Sequence, residues 1–261
     1  DLQRAAAVWN VVAAPPLSLN LKTWCYPVAG CVGYRGYFDR AEADAFAAAL
    51  RAEGYDVSVY GVPAYSTLGW SNWIGGDPLL NTFVNGSEGE LARLIFHELA
   101  HQQLYVADDT LFNASFATAV ERIGTRLWLE WHGSDEVRAQ YREGQQRRQD
   151  FRGLTARWRE QLEGLYASDR SDEAKLAAKS ELLAQLRADY VQTKQQRWGG
   201  FAGYDPWFAH VNNASLGVLA AYTELAGDFE RLFVQQGSDF ERFYARVAEI
   251  GALPKAPRHA T

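Results

Sequence analysis

The 261-residue chain contains no methionine, two cysteines, five histidines and eight prolines. Each scarcity excludes something. Two thiols are too few for a structural zinc site, so Cys25 and Cys31 are either a small disulfide loop or two free thiols. Pro27 and Gly30 between them let the chain turn back, which favours the disulfide and a compartment outside the reducing cytosol. No apolar run approaches the roughly 18 residues that a transmembrane helix needs. No initiating methionine and no charged segment followed by an apolar core opens the chain. The start at Asp1 therefore reads as a processed or truncated product whose targeting segment is gone. Positive charge is also short, with 26 Lys and Arg against 32 Asp and Glu and a net charge of −6. Without a dominating basic stripe the chain is a poor nucleic-acid binder, and that class is set aside.

What is present points elsewhere. Hydrophobic residues make up 48% of the chain, with nine Trp, thirteen Tyr and thirteen Phe, enough for a large packed core. Among so few histidines, two stand in LIFHELAHQQLYV, residues 94–106, where His97, Glu98 and His101 have HExxH spacing. On a helix the two imidazoles lie one turn apart on one face and can reach one metal ion, with Glu98 beside the open coordination position. A catalytic zinc normally has three protein ligands and a water; the metal lowers the water's pKa towards about 7, and a nearby carboxylate shuttles the proton. Leu91, Leu94, Ile95, Leu99 and Leu104 supply an apolar stripe, and Ser87 with Glu90 reads as a capping box.

Around this stretch the chain reads as follows. Residues 1–24 hold an Ala-rich, helix-like opening stopped by Pro15 and Pro16, then a segment that lies across the fold. VGYRGYF is a strand candidate, followed by a helix with Asp39 as N-cap and Gly54 as terminator. Residues 55–70 read as strand, turn, strand, and the edge AYSTLGW (64–70) serves either to hold extended substrate or as an ordinary core strand. A Gly- and Asn-rich loop precedes the HExxH helix. A second helix runs from about Asn113 to Trp131, stopped by Gly133. Residues 136–198 read as an antiparallel helical hairpin, partly projecting, with Arg142, Arg147, Arg148 and Arg152 on a solvated face and Ser171 as N-cap between its arms. RWGGFAGYDPWF (197–208) is a loop of the kind that returns to line a site. Two amphipathic helices close the core and the tail PKAPRHAT frays. The Asn-x-Ser sequons at Asn85, Asn113 and Asn213 read as incidental.

HELAHQ followed by FNASFATAVE resembles the gluzincin metallopeptidases, in which the two HExxH histidines are joined by a glutamate from an Asn-Glu-x-Phe-Ala type motif. Together with TWCYPVAGCVGYRGYF, GVPAYSTLGW and VNNASLGVLAAY, these stretches resemble a bacterial family of putative zinc aminopeptidases, often predicted to be cell-envelope lipoproteins. The resemblance runs from about Thr23 to the C-terminal helices. It implies one zinc ion, a peptide substrate, a periplasmic or envelope location, and attachment to a membrane through an N-terminal lipid anchor that these residues do not include. The expected architecture is α+β and zincin-like: a single domain over residues 1–261, with a β-rich part (25–96), active-site helices (88–132), the hairpin (136–198) and C-terminal helices (199–261).

One departure outweighs the agreement. The residue after the motif's asparagine, the third metal ligand in gluzincins, is Ala114 here, and a methyl group cannot coordinate zinc. Glu121 is a weak substitute, because seven residues of helix place it roughly 10 Å further along the axis. It corresponds instead to an acidic residue that follows the ligand in related enzymes. Three explanations of Ala114 stay open: an engineered replacement, which the intact His97, Glu98 and His101 favour; a natural loss that leaves a silent protein; or a relocated ligand. Tyr204, His210 and Tyr222 are candidates for the group that stabilises the oxyanion, though each has a packing alternative. Asn212 and Asn213 either bind substrate backbone or cap a helix. Cleavage of an amide other than a peptide and catalytically silent binding of a peptide or protein partner are the rival functions.

Overall fold

The computed structural model describes residue 6 and residues 8–26, 30–62, 88–107, 109–220 and 225–259. The architecture is mixed α/β, mostly helical with a small sheet. Its sheet has three antiparallel strands in the order β4 (Arg35–Tyr37), β1 (Val8–Ala14), β5 (Asp56–Val62). The central strand corrects the helical reading of the opening. Val11 and Ala13 pack on helix α1 (Arg40–Ala52), while Val12 and Ala14 pack on the opposite side with Ala214 of α7 (Asn213–Ala220). A strand covered on both faces has no polar face to alternate with, so VWNVVAA is apolar except at the buried Asn10.

VGYRGYF is divided between two strands. Its first part belongs to β3 (Gly30–Val32), paired with β2 (Trp24–Tyr26) in a separate ribbon, and its second is β4. Cys25 and Cys31 stand opposite each other in that ribbon with their sulfurs bonded. Helix α1 begins where its chemistry says: the Asp39 carboxylate accepts from the amides of Ala41 and Glu42. It ends before Gly54, at φ +91°. The edge 64–70, the loop before the HExxH stretch, Ser87 and Tyr222 lie outside the described residues.

Six longer helices follow among the described residues: α2 (Glu88–Gln103), α3 (Thr110–His132), α4 (Asp135–Tyr166), α5 (Asp172–Arg197) and, after the short α6 (Asp205–Ala209) and α7, α8 (Ala226–Gln235) with α9 (Phe240–Gly251). The C-terminal stretch read as two helices thus contains three. Helices α4 and α5 form the expected hairpin, with Ser171 capping α5 through the Ala174 amide. Leu154, Trp158 and Leu162 bury against Leu183, Leu186 and Tyr190, and the loop before α6 packs on the same cluster.

Two buried polar anchors hold the sheet and helices together. Asn213 is fully buried; its Nδ2 donates to the carbonyls of Pro15 and Pro16 at 3.0 Å each, and its Oδ1 accepts from Tyr166 Oη at 2.7 Å. Lys179 joins them, donating to the Pro16 carbonyl and pairing with Asp56 at 2.6 Å. Asn212 caps α7, accepting from the Ser215 amide, so both asparagines are structural. The described part of the tail is helical, which corrects the expectation that it frays. Residues Lys255–His259 form α10, and Arg258 pairs at 2.6 Å with Asp109, whose other oxygen caps α3 through the Phe112 amide.

Candidate metal and peptide site

His97, Glu98 and His101 all lie on α2, the two imidazole rings 5.0 Å apart and edge to face. Helices α2 and α3 form a tight antiparallel pair because small residues let them approach. A Cβ at Gly124 of α3 would stand 2.7 Å from the Phe96 ring, and Ala100 packs into the cluster of Phe112, Phe116 and Ala117. The connection between the helices is locked by Asn113, which accepts from the Val106 amide and donates to the Val106 carbonyl. The asparagine of the FNASFA stretch therefore fixes the loop, and the next residue, Ala114, is half-buried on α3.

Glu121 faces α2. Its Oε2 lies 2.9 Å from His97 Nδ1 and its Oε1 2.7 Å from Arg93. Burial alone would push this carboxyl up; the hydrogen bond to His97 and the Arg93 charge outweigh it and hold the pKa below the ordinary range. An ionised carboxylate only accepts, so Nδ1 is the donor of this pair. This is the arrangement by which a carboxylate orients a metal-binding imidazole. Both oxygens of Glu121 are thereby engaged.

The network continues outward. Arg93 also pairs with Glu90 at 3.0 Å, and Glu90 in turn with Arg148 of α4 at 2.8 Å. Of the hairpin arginines expected on a solvated face, Arg142 is exposed, whereas Arg148 and Arg152 turn towards the α2–α3 pair and Arg147 covers the Phe201 ring at 4.5 Å. Residues four apart on α4 meet these neighbours because the hairpin runs back along α3; Arg138 reaches the Leu129 carbonyl. Sequence reasoning treated the cluster as balanced surface charge, and only the helix crossing reveals the pairing.

The other candidates are dispersed. Tyr204 stacks on Phe151 at 4.6 Å, its hydroxyl pushed up by burial against the opposing pull of Arg148, Arg147 and Arg152. His210 is exposed after α6. Ile95 and Leu99, assigned to the buried stripe, are 37% and 51% exposed, and the buried side of α2 is instead formed by Gly89, Ala92 and Ala100.

A family model described as "Putative aminopeptidase" matches residues 1–261. The chain belongs to the putative aminopeptidase family. No curated protein and no solved structure shows a significant match. For a member of an aminopeptidase family the donor set is the decisive test. Two imidazoles one turn apart with a carboxylate between them suit a metal, but among the described residues no three His, Cys, Asp or Glu side chains are placed to share one ion.

Proposed function

We propose that this chain carries the scaffold of a zinc-dependent, zincin-like peptide hydrolase, aminopeptidase-like in keeping with its family, and that Ala114 leaves it catalytically silent as it stands. The observation that carries the reading is the pairing of Glu121 with His97 Nδ1, the contact by which a carboxylate orients a metal-binding imidazole. His97 and His101 are the ligands. Zinc, when bound, supplies Lewis acidity towards the scissile carbonyl and lowers the pKa of water. Position 114 does not fit, so no hydrolytic step is assigned to the chain with alanine there. With a carboxylate at 114, Glu98 is the residue that takes a proton and returns it to the leaving amine. The Cys25–Cys31 bridge supports an envelope or periplasmic setting.

The test is zinc per chain by elemental analysis, for this sequence and for Ala114→Glu in parallel, with hydrolysis of a peptide library as second readout. Stoichiometric zinc and hydrolysis only in Ala114→Glu are expected. Tight zinc already present with Ala114 would place the third ligand elsewhere and sink the assignment. If Ala114→Glu gains neither, the protein is a peptide- or partner-binding member that never cleaved.

A further inference from the structure

On α3 the residue after Glu121 is Arg122, about 100° round the helix from the face turned to α2. Arg126 and Leu129 continue that second row. Here a cleft of about 930 Å³ opens between α3, α4 and α8. Five arginines line it: Arg122, Arg126, Arg138, Arg142 and Arg152. Only two carboxylates, Glu130 and Glu230, do so, although the whole chain carries a net charge of −6. Those two are already committed, Glu230 to Arg122 at 2.6 Å and Glu130 to Arg126 at 3.5 Å. Arg142 and Arg152 pair with no carboxylate among the described residues. Arg152 is half-buried with Arg122 and Arg148 close by, so burial and like charge push its pKa down against the weaker opposing pull of Glu121. An anion there would relieve that repulsion.

The rest of the lining says what kind of anion. Ile123, Leu129 and Phe233 close the floor but are themselves buried, and the apolar surface left open is that of Val234 at the edge, 67% exposed. Gln145, Gln146 and Gln149 run along the α4 wall, offering amide donors and acceptors. From Arg138 to Arg152 the α4 row spans about 21 Å, the length of about six residues of extended chain. A lone phosphate would use one end of this and none of the floor.

We propose that the cleft is a docking groove for an extended acidic peptide segment, its carboxylates on Arg142 and Arg152 and an apolar side chain over the exposed Val234. The groove lies beside the α2–α3 site, since Arg152 and Tyr141 in its lining also feel Glu121, and it goes beyond the hydrolase reading. Binding is measured by fluorescence anisotropy with a seven-residue peptide of alternating Glu and Leu, labelled at its amino terminus, against the Lys–Leu counterpart. The acidic peptide should bind and the basic one should not, and affinity should fall as salt rises. Arg142→Glu and Arg152→Gln should each weaken binding about tenfold. Arg242→Glu, exposed on α9 outside the cleft, should leave it unchanged. Arg142 is exposed and its change needs no refolding of the interior, so it carries the test even if Arg152→Gln unfolds. Undiminished binding by Arg142→Glu, equal binding of the basic peptide, or complete displacement by equimolar inorganic phosphate would each overturn the proposal.

Discussion

At the scale of single residues, the site rests on Glu121. Its carboxylate is buried, ionised and shared between His97 and Arg93, so replacing it with an amide keeps the shape and removes the charge that fixes the Nδ1 proton. In Ala114→Glu protein, Glu121→Gln should bind zinc about 10- to 100-fold less tightly in a chelator competition. Unchanged affinity would reduce Glu121 to a packing residue. His97, Glu98 and His101 were legible because their spacing is a rule of helix geometry. The role of Glu121 was legible only as a distance along one helix, since its partner lies 24 positions back on another. Arg148 was misread for the same reason: a charged stretch has no local signal for which of its members meets a carboxylate across a helix crossing.

At the scale of elements, what was legible was what ends an element locally. Asp39 and Gly54 bracket α1, and Ser171 opens α5, because caps act within one turn. Strand β1 was not legible, since burial on both faces erased the alternation that marks a strand. Ile95 and Leu99 failed in the opposite sense: side chains large enough to suggest a core face were passed over for Gly89, Ala92 and Ala100, which permit closer packing. The same closeness governs α7. A Cβ at Gly217 would stand 2.4 Å from the Leu19 carbonyl oxygen. Alanine normally stabilises a helix relative to glycine by about 1 kcal/mol, but here overpacking should win and Gly217→Ala should cost about 1–3 kcal/mol. A raised midpoint in a thermal melt would show that the backbone of residues 18–20 yields freely.

At the scale of the molecule, distant parts of the chain are held by a few buried polar contacts. Arg258 reaches back to Asp109 at the start of α3, with side-chain exposures of 10% and 0%. Arg258→Ala removes the cation from a buried carboxylate at the cap of the helix that carries position 114, and should cost about 3 kcal/mol in denaturant unfolding. A loss within about 0.5 kcal/mol, the range of an ordinary surface pair, would mean that solvent reaches Asp109 readily.

Asn213 does comparable work between the Pro15–Pro16 turn, α4 and α7, and Asn113 between α2 and α3. Both also begin sequons, and both side chains are sealed in the interior. In a host whose secretory route attaches oligosaccharides to emerging chains, a sugar on either amide nitrogen would take the hydrogen its anchor donates and bring a bulk the interior cannot admit. Such a cell would sort this protein into two populations, bare chains that fold and decorated chains that cannot, so the choice of expression host decides how much of it ever reaches its native form.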